Sequence, residues 1–325
     1  VVSGKPANRF LDGIIFSFSQ IIIVSIILGH FGLLRSGMLV TVHGLAGIAA
    51  AGATRWRRGS KHIQADAGLL SQNLQSGSNR LFLFLACLPI AAGIATLVSS
   101  ATAAPGGTDV WTYHLAFPAE WTIWHDLRCS VQPAGDPGPP FYPHHAGLFA
   151  HVFMSVLQSD ILARFHQVPF WLAGLYALYR SNRNLGRSAH AALFAMALTG
   201  LVPLVSDWIG NSYADISLAG AMALLLYSVT RLSSSGTPAH AVTFGLATGL
   251  VIGLKAFGAF YAFPLVIWGL IRIIRNHHRT GRSIAFWILS AAAVGGYWHT
   301  RNTVFNGNPL FPYTLSWNDT VLLPG

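Results

Sequence analysis

The chain has 325 residues, 53% of them apolar and only 9% charged, with a mean hydropathy of +0.50. That balance excludes an ordinary soluble domain and points to a polytopic membrane protein. The net charge of +10 would suit nucleic acid, but the basic residues sit in short segments between apolar runs, which excludes a nucleic-acid patch.

The apolar runs are continuous rather than alternating, so they predict helices and not an outer-membrane barrel. Helix one (about 11–34) and helix two (about 37–54) make an N-terminal hairpin over 1–55. Residues 56–80, which take in most of the basic "TRWRRGSKH" segment (54–62) and then Ser, Gln, Asn and Gly, read as a cytoplasmic loop. Helix three (about 81–101) leads into a long outer loop, 102–146. The segment 144–159 is too short to span and is expected to lie along the outer membrane surface. His144, His145, His151 and Asp160 would face water there, and Leu148, Phe149, Phe153 and Leu157 lipid or protein. Helices four (163–180), five (189–206), six (216–231), seven (240–254), eight (256–271) and nine (283–299) complete the set. The fold class is all-α: a transmembrane bundle of about nine spans whose first outer loop carries surface helices. Fifteen of the 20 basic residues then fall on the cytoplasmic side with the N-terminus. Eight of the ten acids, among them Asp109, Glu120, Asp207 and Asp215, fall outside. Cys87 lies in an apolar run and Cys129 in the loop after it, a placement that does not suit a disulfide. No cleavable signal peptide is evident, and Val1 at the start suggests a processed or trimmed product.

Several residues on the outer side carry chemistry. Lys255 interrupts "GLATGLVIGLKAFGAFYAFPL", where a cation is costly; it should face a cavity or pair with an anion, and a lipid phosphate fits. The bland alternative is a lysine snorkelling to the interface. Arg301 offers a guanidinium fork that matches phosphate oxygens, or else satisfies helix-end carbonyls. Asp109 and Asp215 each have a plain alternative as an acid at a helix start. Trp111, Tyr113, Trp121 and Trp124 could stack on a sugar, but suit an aromatic interface belt better. A divalent metal held by His114, His144, His145 and Asp109 is conceivable, but adjacent histidines point in different directions, so interfacial histidines fit better. Glycines at 245, 249, 253, 295 and 296 suit close helix packing.

The ordered motifs "D-x-W-x-Y-H-L" from Asp109, "YADISLAG", "GLATGLVIGLKAFGAF" and "RNTVFNGNPLFP" resemble the bacterial GT-C glycosyltransferases, the superfamily of protein O-mannosyltransferases and the lipid A aminoarabinose transferase. The resemblance covers about residues 81–315. It implies a helical membrane core over 81–325 that transfers a sugar from a polyprenyl-phosphate donor at the outer face of the cytoplasmic membrane. It implies Asp109 as general base and Asp215 as a donor- or metal-orienting acid; the residues themselves add Lys255 and Arg301 as ligands of the donor phosphate and Tyr113, His114, Glu120 and Trp111 as candidate substrate contacts. The expected partners are that donor and membrane lipid. The hairpin 1–55 precedes the family's usual first helix, and relatives usually continue past the position of Gly325. The alternative is therefore a non-catalytic structural subunit of a larger membrane complex. A transporter fits less well, because no internal repeat is visible.

Overall fold

The computed structural model describes residues 7–57, 77–128, 136, 138–232, 238–276 and 280–325. Most of the expected cytoplasmic loop 56–80, and Cys129, lie outside the described residues. Helices follow the apolar runs: α1 (Ala7–His30), α2 (Ser36–Arg57) and α3 (Gly77–Thr102) come first. A π-helical turn (Val110–His114) and α4 (Ala116–Trp124) follow, then a 3-10 turn (Pro139–Phe141), α5 (His145–Leu157) and α6 (Asp160–Ala163). The remainder is α7 (Val168–Asn184), α8 (Ala189–Gly200), α9 (Pro203–Trp208), α10 (Asp215–Arg231), α11 (Pro238–Leu254), α12 (Gly258–Asn276) and α13 (Thr280–Asn306). A two-stranded antiparallel ribbon, β1 (Leu315–Trp317) with β2 (Thr320–Leu323), follows α13 and was not expected.

Among the described residues, two stretches are long and apolar enough to cross a membrane, Phe10–His30 in α1 and Gly258–Arg275 in α12. Parts of α2 and α3, and α5, α8 and α11 over their length, are apolar but shorter. The expected helix 189–206 is broken: α8 ends at Gly200, and Pro203 opens α9, since a proline cannot continue the ladder and restricts the residue before it.

Small residues set the packing. A Cβ on Gly249 of α11 would stand 2.7 Å from the Ala291 carbonyl, and one on Gly295 of α13 would stand 2.7 Å from the Gly249 carbonyl. These two helices therefore touch backbone to backbone, as the glycine pattern predicts. Likewise α7 meets α10 where Gly174 faces Gly220. The core between these pairs is filled by Phe170, Tyr227, Phe244 and Trp298, all fully buried. Large apolar side chains on the outer faces stay exposed, among them Ile48, Phe84, Phe260 and Phe263.

The N-terminal hairpin is tied to this core by polar groups. Arg231 at the end of α10 donates to Asp12 of α1 at 2.5 Å and to the Tyr227 hydroxyl at 3.0 Å, and His240 of α11 accepts from it at 2.6 Å.

The segment 144–159 is helical as expected, with Leu148 and Phe149 against protein and Asp160 exposed as predicted, but its histidines do not face water. His144, His145 and His151 are buried, together with Leu148 and Phe149, while Leu157 is exposed. α5 is held among α1, α2, α4 and α11, so nearly its whole circumference meets protein. Two of these histidines have hydrogen-bond partners there: His144 Nε2 donates to the Pro139 carbonyl at 2.8 Å, and His151 Nε2 bonds the Ser155 hydroxyl at 2.9 Å.

Candidate functional site

The first wall of the site is the turn after α3. Gly107 has φ +96°, a left-handed conformation that suits glycine, and the Tyr213 ring leaves no room there for a side chain. The chain then enters the π turn, which brings residue 113 back over residue 109. The Tyr113 hydroxyl donates to Asp109 Oδ2 at 3.0 Å. Asp109 makes no capping bond to the backbone, so it is not the helix cap that its position allowed. Burial, then the Asp109 charge, pushes the Tyr113 hydroxyl well above its ordinary pKa, and Asp215 adds to the effect. Tyr113 therefore stays protonated and donating.

The second wall holds the ion pair Lys255–Asp215, with Nζ 2.5 Å from Oδ1 and both side chains partly exposed. Asp215 is the first residue of α10, and Lys255 lies in the turn between α11 and α12. The start of α10 is fixed by a residue that sequence reasoning missed. Gln167, fully buried, accepts through Oε1 from the backbone N–H of Ile216 at 3.0 Å and of Ser217 at 3.4 Å. Its Nε2 donates to the carbonyls of Trp208 at 3.0 Å and Asn211 at 2.6 Å. These bonds satisfy N–H groups that a helix start leaves without partners, and they hold the 208–215 turn against α7.

The third wall comes from two segments far apart in sequence. Arg301 donates to the Pro140 carbonyl at 2.5 Å, and Asn302 donates to the carbonyls of Phe141 at 2.8 Å and Phe311 at 3.1 Å. Asn308 donates to the carbonyls of Tyr313 and Pro324, at 2.9 and 2.8 Å. The polar residues of "RNTVFNGNP" thus clamp the segment after α13 onto the 138–143 loop. Tyr142 and Tyr313 consequently stack with centroids 6.2 Å apart, and Phe257 meets Tyr313 at 4.8 Å. Burial, then Tyr313, pushes the Tyr142 hydroxyl up to about 12.

The three walls enclose a cavity of about 300 Å³ lined by Asp109, Tyr113, His114, Tyr142, Lys255 and Tyr313, with Ala214 placing Asp215 at its edge. That size lies at the lower end for small-molecule sites. His114 and His144 also face it; burial first, then neighbouring positive groups, holds His114 well below the usual histidine range and His144 down to about 3. Both rings are neutral.

Of the predicted site residues, Asp109, Lys255, Tyr113 and His114 line this cavity, and Asp215 joins them only through its ion pair with Lys255. Trp111, Glu120 and Arg301 are not part of its lining. Trp111 is exposed, its indole N–H on the Pro105 carbonyl at 3.0 Å. Arg301 instead lies over the Trp298 ring, 4.9 Å from its centroid, and lines a separate groove. Among the described residues no group of three or more His, Cys, Asp or Glu is placed to hold a metal ion. Tyr142 and Tyr313, like Gln167, were missed; the aromatic–proline strings "PFYP" and "FPY" were the available signal.

This fold and site define a helical protein with apolar helices long enough to cross a membrane and a small polar cavity built at helix ends. Residues 147–320 match the family described as "Domain of unknown function (DUF8201)", more than half of the chain, and the chain belongs to that family. The matched region holds Gln167, Asp215, Lys255 and Tyr313, whereas Asp109, Tyr113 and Tyr142 precede it. No curated protein matches the chain, and no solved structure does.

Proposed function

We propose that this protein is a glycosyltransferase of the cytoplasmic membrane, resembling the GT-C enzymes, that moves a sugar from a polyprenyl-phosphate donor to an acceptor at the outer face. The nine spans are α1, α2, α3, α7, α8 continued by α9, and α10–α13, with the N-terminus cytoplasmic. The charge asymmetry supports this topology, since the basic residues at the end of α7 and just past it (Arg180, Arg183, Arg187), at the end of α12 (Arg275) and at the start of α13 (Arg282) share one side with Arg231 at the end of α10.

The observation that carries the reading is the convergence of Asp109 and the Asp215–Lys255 pair on one aromatic-lined cavity. In the proposed step an acceptor hydroxyl attacks the anomeric carbon and gives its proton to Asp109. The bond from that carbon to the phosphate oxygen breaks, and the polyprenyl phosphate leaves with the electron pair. Tyr113 occupies Oδ2 of Asp109 and leaves Oδ1 to take the proton. Lys255 turns from Asp215 toward the departing phosphate, and Tyr142 and Tyr313 offer ring faces to the sugar. The test is release of lipid phosphate from polyprenyl-phosphate sugars by the purified protein; a well-folded protein that turns over no such donor rejects the proposal.

A structural subunit is the second reading. The ion pair favours it, because Lys255 already has its counter-charge and joins α10 to the α11–α12 turn. Under that reading, Lys255→Gln changes assembly with partner subunits and no turnover exists to lose.

A further inference from the structure

A groove of about 760 Å³ runs between α1 and α13, apart from the Asp109 cavity. Its floor is made by the small residues Ala292, Ala293 and Gly296 of α13, and its wall by Ile26 and Ile27 of α1. Toward one end the lining turns polar, with His30, Thr300, Arg128 and Arg301, and the exposed Phe31, Val304 and Phe305 form its rim. The lining carries two arginines and no carboxylate. Arg128 is half exposed and held by Asp126, with Nε at 2.8 Å and Nη2 at 2.6 Å from its oxygens. Arg301 is held by the Pro140 carbonyl.

From Ala292 to Arg301 is nine residues of helix, a depth of about 14 Å. One leaflet of a bilayer has a hydrocarbon depth of about 15 Å. An apolar slot of one leaflet's depth with arginines at its mouth matches an acyl chain below an anionic headgroup. A head held at Arg301 lies outside the lining of the Asp109 cavity, so this lipid is not positioned as a sugar donor.

We infer that the α1–α13 groove is a binding site for an anionic glycerophospholipid of the surrounding membrane, held as a wedge that seals the N-terminal hairpin to the core. The inference rests on the membrane reading above, and on no part of the transferase reading. The occupant is a membrane lipid rather than free phosphate, because most of the groove is apolar and would stay unfilled.

The test uses the full chain in nanodiscs of equal phosphatidylglycerol and phosphatidylcholine, extracted into detergent, with retained lipid counted by native mass spectrometry. The wild-type protein should keep phosphatidylglycerol in preference to phosphatidylcholine. Gly296→Leu should lose it while staying folded, since a Cβ there meets nothing closer than the Ala292 Cβ at 3.8 Å and the larger side chain enters the groove. Arg128→Gln should lower the preference for phosphatidylglycerol about tenfold, the scale of one charge-assisted hydrogen bond. Equal retention of both lipids, or retention unchanged in Gly296→Leu, overturns the inference. So does displacement of the lipid by millimolar glycerol phosphate, which would make the site one for a soluble anion, or by a polyprenyl phosphate at a lower concentration than phosphatidylglycerol. Failure of the wild-type chain to enter nanodiscs at all would instead reject the membrane reading.

Discussion

Gln167→Leu should loosen the start of α10 and with it the position of Asp215. Leucine nearly matches glutamine in size but neither donates nor accepts. The change leaves the backbone N–H groups of Ile216 and Ser217 and the carbonyls of Trp208 and Asn211 without their side-chain partner. A buried polar group left unsatisfied costs about 1–3 kcal/mol. The Ser217 bond is long at 3.4 Å, and the carbonyls border a surface turn where water can replace one partner, so about 3–5 kcal/mol is expected rather than the full sum. Thermal unfolding in detergent, followed by tryptophan fluorescence, should show a midpoint lower by several degrees. Gln167→Glu separates the two halves of the clamp: it keeps the acceptor toward the α10 N–H groups, but sets a second oxygen against the two carbonyls. It should be destabilised as well, through repulsion at 208–211. A Gln167→Leu midpoint equal to that of the parent would refute the reasoning, because it would mean that α10 starts where it does without this side chain.

Arg231→Leu should destabilise by about 3–5 kcal/mol, since it leaves the Asp12 carboxylate largely buried without its partner; Asp12→Asn added to it should recover part of the loss in the same unfolding assay. For His144 the folded pKa of about 3 lies below the unfolded value near 6.5, so its contribution to stability is complete above pH 6.5 and is lost as pH falls toward 3. The unfolding midpoint should therefore drop between pH 7 and pH 5, and His144→Gln should flatten that slope; an unchanged slope would count against a neutral, buried ring. In a background with Cys87 and Cys129 replaced by serine, an impermeant thiol reagent on intact cells should label Asp160→Cys and spare Arg187→Cys; the opposite pattern would invert the topology and the placement of the site.

The long helices were legible because each apolar run is local information, and the glycines at 249 and 295 announced the close contact of α11 with α13. What was not legible depended on partners far away in the chain. The histidines of α5 look like a water-facing stripe in sequence, yet the helix is enclosed by α1, α2, α4 and α11, and His144 and His151 are neutral rings bonded inside. Arg301 reads as a phosphate ligand from its charge alone. Its bond to Pro140, across more than 150 residues of sequence, turns it into a clamp for the loop that carries Tyr142. Asp109, Asp215 and Lys255 could be gathered on one side by counting spans, but the same count could not exclude Trp111 and Glu120. Which side chains reach a shared cavity depends on the π turn at 110–114 and on the segment after α13, and neither leaves a pattern in hydropathy.

The most direct measurement follows lipid-phosphate release from polyprenyl-phosphate sugars by the parent protein and by Asp109→Asn, both purified and shown to be folded. The amide keeps the size of the carboxylate and can still accept the Tyr113 hydroxyl, but it cannot take the acceptor's proton. Turnover by the parent and a loss on the order of 10²–10⁴ in the variant is the predicted result. Equal rates in the two proteins would contradict the role given to Asp109, and no turnover by the parent with any donor would contradict the transferase itself.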